Sequence, residues 1–344
     1  MSTRDEYRVG WICALSVECA AAESMLDTVH PPLAIHEYDR NTYIFGSISG
    51  HNVVIACLPS GIYGTTSASV VANDMRMSFP YMRFCLIVGI AGGAPSAQYD
   101  IRLGDVVVSR PIPGFSGVIQ YDYGKALEGG ELVHTGSLDK PPMALLTAIA
   151  RLQAYHELHG NSILNLHEGA LRKHPRLRSK FKAPPTADDI LFKPQYRHAE
   201  TCDFERCEER YPDLLEDRPP RRSKRPQVFY GLIACANQVM RDAIKRDTLS
   251  QRHGILCFEM EAAGIMDAFP CLVIKGICDY CDSHKNKRWQ GYAAISAAAY
   301  AKELLSFIPS SSVAGTSVLT PVLDNTYSRI LGFDHAPQGH AGQR

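Results

Sequence analysis

Short apolar runs that alternate with helical patterns are the feature that most restricts the fold of this chain. The runs are nearly continuous in apolar residues, which is typical of strands buried on both faces. Segments with helical spacing separate several of them, and this alternation predicts an α/β protein with three layers, in which a mostly parallel mixed sheet is flanked by helices. The predicted strands are 7–15, 84–90, 104–109, 227–235 and 271–278, with a hairpin of 42–48 and 52–58, and the predicted helices are 17–26, 142–158 and 292–308.

Two regions break this pattern and define the expected domain organisation. Residues 160–226 are polar, proline-rich and charged, and they contain the basic runs RKHPRLRSKFK and RPPRRSKRP. We interpret them as one long insertion rather than as a second core. Residues 309–344 are rich in serine, glycine and proline, which predicts a flexible tail. We therefore expect one domain over 7–308, with an insertion at about 160–226, and a C-terminal tail over 309–344.

Charge and cysteine content argue against several classes of function. Lys plus Arg and Asp plus Glu both total 36, so no net field favours nucleic acid or an anionic membrane. No apolar run approaches the ~18 residues of a membrane span. The 11 cysteines are odd in number and most lie in apolar runs, which indicates reduced thiols of a cytosolic or nuclear protein. We expect a cytoplasmic protein with no nucleic-acid or membrane partner.

The segment LCFEMEAAGIMDAF, at 256–269, carries two carboxylates inside an apolar stretch. Burying a charge costs several kcal/mol or more unless a partner offsets the cost. Glu259 and Glu261 are therefore expected to have a partner, and the segment is a candidate for a binding site.

A second carboxylate position is Asp279, at the carboxyl edge of the predicted strand 271–278. A carboxyl group there, near apolar surroundings, would have a raised pKa and could hold a proton near neutral pH. The alternative is that Asp279 caps the N-terminus of the following helix, which is the more frequent role of a lone aspartate in such a position.

Cysteine and histidine spacing gives only a weak indication of a metal. Cys278, Cys281 and His284 are loosely spaced, and the Cys202 and Cys207 pair inside the insertion does not complete a zinc pattern. We expect no metal.

The glycine-rich segments GIAGGAPS (89–96) and PSGIYGTTSAS (59–69) follow predicted strands. Neither matches the dinucleotide fingerprint or the P-loop, so a nicotinamide or P-loop nucleotide is not expected, and the alternative for each is a tight turn. Glu18 lies on the first turn of the helix after the first strand, where a negative charge is favourable in any protein. No cofactor is predicted.

Taken together, these segments resemble the nucleoside phosphorylase and nucleosidase superfamily, and most closely the fungal nucleosidase-like domains of multidomain NACHT or ankyrin proteins. The resemblance implies a three-layer nucleoside phosphorylase-like fold and a nucleosidase that cleaves an N-glycosidic bond. It spans 7 to about 308, in the order of the family's motifs. The matching segments are VGWICALSVE, HNVVIACLPSGIYGTTSA, VGIAGGAPS, IRLGDVVVS, YGLIACANQV, CFEMEAAG and VIKGICDYCDSHKNKRWQGYAA.

The same resemblance implies a role for each candidate site residue. Asp279 corresponds to the general acid at purine N7, and Glu18 to the carboxylate that activates water. Glu261 corresponds to the residue that holds the ribose 2′ and 3′ hydroxyls, with Lys275 as its partner in the empty site. Met260 would pack on the sugar, and Glu259 would support the site from the rim. The other expected substrate-binding residues are Phe258, Gly92, Ala91, Ile90, Gln238, Val239 and Ser60.

Charge favours hydrolysis over phosphorolysis. The phosphorylases of this superfamily carry arginines and a serine that bind phosphate, whereas this chain has Ile87 and Ile90 at two of those places. Glu18 would also repel phosphate. We expect a purine nucleoside N-ribohydrolase that acts as a homo-oligomer. A phosphate-dependent phosphorylase and a catalytically silent ligand-sensing module remain as alternatives.

Whether the substrate is a nucleoside or a nucleotide depends on where the cations of the insertion lie. Its cations could be exposed, or they could reach the 5′ end of the substrate, so that the enzyme accepts nucleotides such as ATP. Under the second hypothesis, the phosphate contacts would come from Arg221, Arg222, Lys224 and Arg225.

Overall fold

In the computed structural model of the chain, the described residues are 3–128, 132–198, 212–221, 223 and 225–310. The expected tail lies outside them, apart from residues 309 and 310. Among the described residues, no helix is long and apolar enough to cross a membrane. The strands are β1 Val9–Cys13, β2 Thr28–Val29, β3 Tyr43–Ile48, β4 His51–Cys57, β5 Phe84–Gly93, β6 Val106–Ser109, β7 Val118–Gln120, β8 Gly124–Ala126, β9 Leu132–His134, β10 Val228–Cys235, β11 Ile255–Glu259 and β12 Cys271–Asp279. The helices are α1 Ser16–Ser24, α2 Thr65–Ser78, α3 Met143–His159, α4 Ile163–Lys173, α5 Arg178–Phe181, α6 Ala243–His253, α7 Ala263–Met266 and α8 Gln290–Ser306.

One mixed sheet contains most of these strands, in the order β11-β10-β6-β12-β5-β1-β4-β3-β2. β5 lies parallel to β1 on one side and to β12 on the other. An additional antiparallel pairing joins β11 to the end of β5, so part of the sheet closes on itself. The predicted α/β fold with a mostly parallel mixed sheet is confirmed. The closure matters for the site, because it brings the ends of β11 and β12 to the same end of β5.

Local chemistry explains the borders of these elements. The β3–β4 hairpin turns at Ser49 and Gly50, which both have positive φ, as a tight two-residue turn requires. β12 is buried along its whole length, which accounts for its continuous apolar run. Gly276 in this strand lies directly under α8, where a Cβ atom would overlap the carbonyl of Ala293. The glycine and the alanine-rich helix therefore permit close packing of helix on sheet.

Helices cover both faces of the sheet. One core cluster includes side chains from α1, α3, α4 and α8, and a second includes side chains from α2 and α7. The predicted three-layer arrangement follows from these two cores.

The structure corrects two expectations. β5 continues to Gly93, so residues 91–93, which follow the predicted strand 84–90, are also strand. Residues 160–181 are also not part of a polar insertion, because α4 packs on the core with Ile163, Ala170 and Leu171 buried. These side chains recur at helical spacing among charged residues, and the charges concealed the amphipathic pattern.

Candidate active site

The glycine-rich end of β5 is the backbone around which the predicted site residues gather. Gly89 lies against the carboxyl group of Glu18, and a Cβ atom there would come within 2.6 Å of its Cδ. Gly92 pairs with Phe258 of β11 and with Asp279 of β12. The glycines are thus explained by close approach of side chains, not by the tight turn that was the alternative interpretation.

Glu18 is buried in the first turn of α1 and points at β5. Its Oε2 accepts hydrogen bonds from the backbone N–H groups of Ala14 (2.7 Å) and Leu15 (3.0 Å), and its Oε1 accepts one from Ile90 (2.8 Å). Burial raises the pKa of Glu18, and the charge of Lys275 and these N–H donors partly offset the increase. Glu18 is therefore both a helix cap, which was the alternative interpretation, and a fixed carboxyl group with enhanced basicity.

Glu259 and Glu261 share one buried cation. Lys275 Nζ lies 3.0 Å from Glu259 Oε2 and 3.5 Å from Glu261 Oε2. Burial and the charge of Glu259 raise the pKa of Glu261 to about 7, against the lowering effect of Lys275. The expected pairing of Lys275 with Glu261 is present in the structure, and Lys275 also approaches Glu259 more closely.

The expectation that Glu259 supports the site from the rim is wrong. Its side chain is 0% exposed, and its carboxylate accepts hydrogen bonds from the N–H groups of Glu261 (3.2 Å) and Ala262 (3.1 Å). A carboxylate so engaged with the backbone and Lys275 fixes the turn after β11 rather than a ligand. Glu261 has fewer close partners: its Oε2 lies 3.4 Å from the backbone N of Met260 and 3.5 Å from Lys275 Nζ.

Asp279 is buried at the end of β12 and bonds on both of its oxygens. Oδ1 accepts a hydrogen bond from Cys281 N (3.0 Å), and Oδ2 lies 3.0 Å from Lys285 Nζ. The alternative interpretation as a helix N-cap is excluded, because the next described helix begins only at Gln290. The surroundings are also more polar than expected, since Lys285 supplies a counter-charge that sequence reasoning missed.

The remaining predicted residues divide by exposure. Phe258 and Ala91 are buried, Ile90 and Met260 are half-buried, and Gly92 is buried against Asp279. Three others are exposed, but they follow strands β4 and β10 at the end of the sheet that carries the carboxylates. They are Ser60, Gln238 and Val239.

Asn237 is a structural residue of this region that the sequence did not single out. Its Oδ1 accepts hydrogen bonds from the backbone N–H (2.9 Å) and hydroxyl (3.0 Å) of Thr65, the first residue of α2. Its own N–H donates to Asp122 Oδ2 (3.0 Å). Asn237 therefore joins the end of β10 to the loop that contains Ser60. In the sequence, only its position directly before the candidate residue Gln238 could have indicated that Asn237 belongs to this region.

In the described part of the basic segment, Arg218 and Arg221 pair with carboxylates of the fold, whereas the exposed Arg225 forms no ion pair with a described residue. Arg221 binds both oxygens of Asp105, each at 2.7 Å, and Arg218 lies 3.2 Å from Asp189 Oδ1. The expectation that Arg221 contacts a substrate phosphate is therefore wrong, because its guanidinium group holds a buried carboxylate. Arg222 and Lys224 lie outside the described residues.

The other basic run also has a structural role. Lys173 Nζ donates to the carbonyl of Leu26 (2.8 Å), just past the C-terminal end of α1. Glu18 lies at the opposite end of this helix, so Lys173 is remote from the carboxylates.

The three candidate metal ligands do not converge on one point: Cys278 donates to Asp279, and His284 stacks on Phe192.

Substitution of Gly92 tests whether close packing at β5 positions the carboxyl group of Asp279. A Cβ atom at this position would overlap Cys281 Sγ and lie 2.6 Å from Asp279 Oδ1. We expect Gly92→Ala to reduce kcat/KM by about 100-fold, since displacing a reacting group by about 1 Å can have an effect of that size. Gly169→Ala is the matched control, because a Cβ atom at that helical glycine would make only an ordinary contact, at 3.9 Å from Arg172 Nη2, and the change should stabilise α4 without affecting activity. Equal activities of the two variants would contradict the assignment.

Comparison with known proteins places this geometry in context. No protein-family model matches the chain. A protein of Hyaloscypha variabilis described as nucleotide-binding leucine-rich repeat (NLR)-like is 48% identical over 305 residues, which are 88% of this chain. The chain spans about 30% of the length of that relative.

Solved nucleosidases share the architecture at low identity. The 5′-methylthioadenosine/S-adenosylhomocysteine nucleosidase of Neisseria meningitidis, in complex with methylthio-immucillin-A, superposes with a TM-score of 0.54 and 16% identity, covering 87% of this chain and 98% of that one. The futalosine hydrolase of Helicobacter pylori gives a TM-score of 0.53 and 13% identity, covering 88% and 99%. The resemblance inferred from the sequence is thus confirmed at the level of the fold, which in this chain is the nucleoside phosphorylase-type fold of the nucleosidases.

Proposed function

We propose that this chain is a purine nucleoside N-ribohydrolase, which releases a free base and ribose. The observation that carries the proposal is the placement of Glu18 and Asp279 against Gly89 and Gly92 of one strand. Hydrolysis of a glycosidic bond needs one carboxyl group that protonates the leaving group and one carboxylate that activates water, and Glu18 and Asp279 supply such a pair.

The residues divide the reaction between them. Asp279, once protonated, donates its proton to the purine base as the N-glycosidic bond breaks and its electron pair moves to the base. Glu18 takes a proton from the water that attacks the sugar carbon, and its raised pKa suits that task. Glu261 accepts hydrogen bonds from the two ribose hydroxyls, and Lys275 holds Glu261 in place.

The geometry favours hydrolysis over phosphorolysis for two reasons. The N–H of Ile90, which could otherwise serve an anion, already donates to Glu18. The buried cation of the site, Lys275, is shared by Glu259 and Glu261. A phosphate dianion would meet carboxylates rather than free donors, at a substantial electrostatic cost.

A plain nucleoside fits the described residues better than a nucleotide does. The triphosphate of ATP needs several Lys, Arg or N–H contacts. Arg218 and Arg221 are committed to Asp189 and Asp105. Solved proteins of this fold include the N. meningitidis enzyme bound to a nucleoside analogue, which supports the same choice.

The decisive experiment incubates the chain with adenosine, inosine, guanosine, 5′-methylthioadenosine and ATP, each with and without phosphate. We expect free base and ribose from nucleosides at a rate that does not depend on phosphate. Release of ribose 1-phosphate would establish a phosphorylase instead. A preference for ATP would support the hypothesis that the substrate is a nucleotide. No turnover of any substrate would favour a ligand-sensing module.

Removal of Glu261 should distinguish ribosides from 2′-deoxyribosides. A hydrogen bond to a charged group contributes roughly 1.5–3 kcal/mol, and only the riboside offers both hydroxyls to the carboxylate. We expect Glu261→Ala to reduce kcat/KM for the riboside about 10- to 100-fold more than for the 2′-deoxyriboside. Glu261→Asp should retain part of the discrimination. Equal losses for the two sugars would show that Glu261 does not hold the ribose.

A further inference from the structure

A cavity of about 70 Å³ lies between the end of β12 and the first residues of the insertion. Both Asp279 and Lys285 line it, and Asp188 and Phe192 line it from the insertion. Asp279 Oδ2 is the oxygen on the Lys285 side, whereas Oδ1 lies nearer Gly92. The carboxyl group of Asp279 thus lies between Gly92 of β5 on one side and this cavity on the other.

Several buried polar atoms on the cavity wall have no hydrogen-bond partner among the described residues. They are both ring nitrogens of His284, Nε1 of Trp289 and Oδ2 of Asp188. The last of these lies 3.5 Å from the guanidinium group of Arg288. Buried polar atoms in proteins almost always bond to protein or to water. A polar cavity larger than ~10–15 Å³ with two to four polar partners can hold a water molecule, so this one has room for more than one.

His284 is held by its ring faces rather than by its nitrogens. It is 8% exposed and stacks on Phe192 at a centroid distance of 3.7 Å and on Tyr196 at 5.0 Å. The carboxylate Oδ2 of Asp282 lies 3.8 Å from Nδ1, which is too far for a hydrogen bond. His198 contacts the ring edge-on. The other charged groups on the cavity wall are Asp188, Asp279, Lys285 and Arg288.

We propose that this cavity holds a chain of water molecules that returns a proton to Asp279 after each turnover, and that His284 is the residue that positions this water. The inference rests on the proposed function, because it needs Asp279 to be the general acid. It also gives the segment 188–192 a role in the reaction without contact to the substrate.

The proton balance of hydrolysis requires that Asp279 regain one proton in each turnover. In each turnover, Asp279 gives a proton to the leaving base, and Glu18 receives one from the attacking water. Glu18 then releases its proton to solvent, while a cavity water gives a proton to Asp279 Oδ2 and takes one from bulk water. No oxidant, reductant or further reactant is needed.

The test compares two substitutions of His284 in the full chain. His284→Phe retains a ring for stacking on Phe192 but removes both nitrogens, whereas His284→Gln retains polar atoms. For the purine nucleoside cleaved best in the panel above, we expect the Phe variant to reduce kcat about tenfold, which is less than the ~10²–10⁴-fold contribution of the general acid itself, because Asp279 is still present. KM should change less than about twofold, the solvent deuterium isotope effect on kcat should increase, and the Gln variant should recover most of the rate.

A substrate that needs no acid separates this role from a structural one. The leaving group of 4-nitrophenyl β-D-ribofuranoside departs as a stable anion, so its cleavage should fall much less in the Phe variant than purine release does. Equal losses on the two substrates, or an unchanged kcat and isotope effect for the purine nucleoside, would overturn the inference. If the wild type cleaves no purine nucleoside, the proposed function is wrong, and the role of His284 in that reaction is wrong with it.

A crystal structure of the full chain gives a readout that does not depend on activity. We expect ordered water bonded to a ring nitrogen of His284 and leading to Asp279. A cavity without ordered water, or a protein group bonded to both ring nitrogens, would refute the water route even if the enzyme proves to be a nucleosidase.

Discussion

Asp279→Asn is expected to reduce kcat for purine nucleosides by about 10²–10⁴-fold, the usual contribution of a positioned general acid. An amide has the shape of the carboxyl group and can still bond Cys281 N, but it cannot supply an acidic proton. Substrate binding should therefore stay within about tenfold of the wild type. The measurement is a steady-state comparison of base release by the wild type and the variant, with the KM values reported separately.

A buried aspartate away from the site provides the control for this prediction. Asp74 of α2 is buried and lies 3.1 Å from Arg40, so Asp74→Asn also removes an ion pair of a buried carboxylate. It should lower stability but leave kcat unchanged. If Asp279→Asn retains most of the wild-type rate, or if both variants lose activity alike, Asp279 is not the acid.

The sheet and the main site carboxylates could be predicted from the sequence because their signals are local. Continuous apolar runs identify β1, β5, β10 and β12, and the parallel pairing of β1, β5 and β12 brings the carboxyl ends of these three strands to one edge. The resemblance then assigned Glu18, Glu261 and Asp279. All three side chains are buried in the structure, and those of Glu18 and Asp279 lie against glycines of β5.

The partners of those charges could not be predicted, because they depend on distances between segments. Lys285 is a surface-like lysine in the sequence, yet the fold turns it back onto Asp279. Arg221 lies in a run that is typical of an exposed loop, but Asp105, more than a hundred residues earlier, binds it. A buried carboxylate needs a nearby cation to offset its burial, and which cation lies nearby depends on the tertiary fold.

Lys275→Met is expected to destabilise the protein strongly. Lys275 is 1% exposed, and its removal leaves Glu259 and Glu261 without a cation. Loss of one partner of a buried ion pair costs about 3–5 kcal/mol. For a domain of this size, each kcal/mol corresponds to a decrease in Tm of ~2–4 °C, so the variant should lose at least ~6 °C in thermal unfolding.

The pH dependence of this loss identifies its cause. The pKa of Glu261 is about 7 in the folded protein with Lys275 present, which is above that of an unfolded glutamate. The folded state therefore binds the extra proton, and the stability from this proton is lost as pH rises through the folded pKa. Without Lys275 the folded pKa of Glu261 rises further, so the variant continues to lose stability above about pH 7, where the wild type no longer does.

Thermal unfolding at pH 6 and pH 8.5 checks this prediction. The difference in Tm between the wild type and Lys275→Met should be larger at pH 8.5. A second substitution, Glu261→Gln, removes the uncompensated charge and should recover part of the loss at pH 8.5 but little at pH 6, where Glu261 is already protonated. A deficit that is equal at both pH values, and that Glu261→Gln does not reduce, would show that Lys275 contributes through packing rather than through charge.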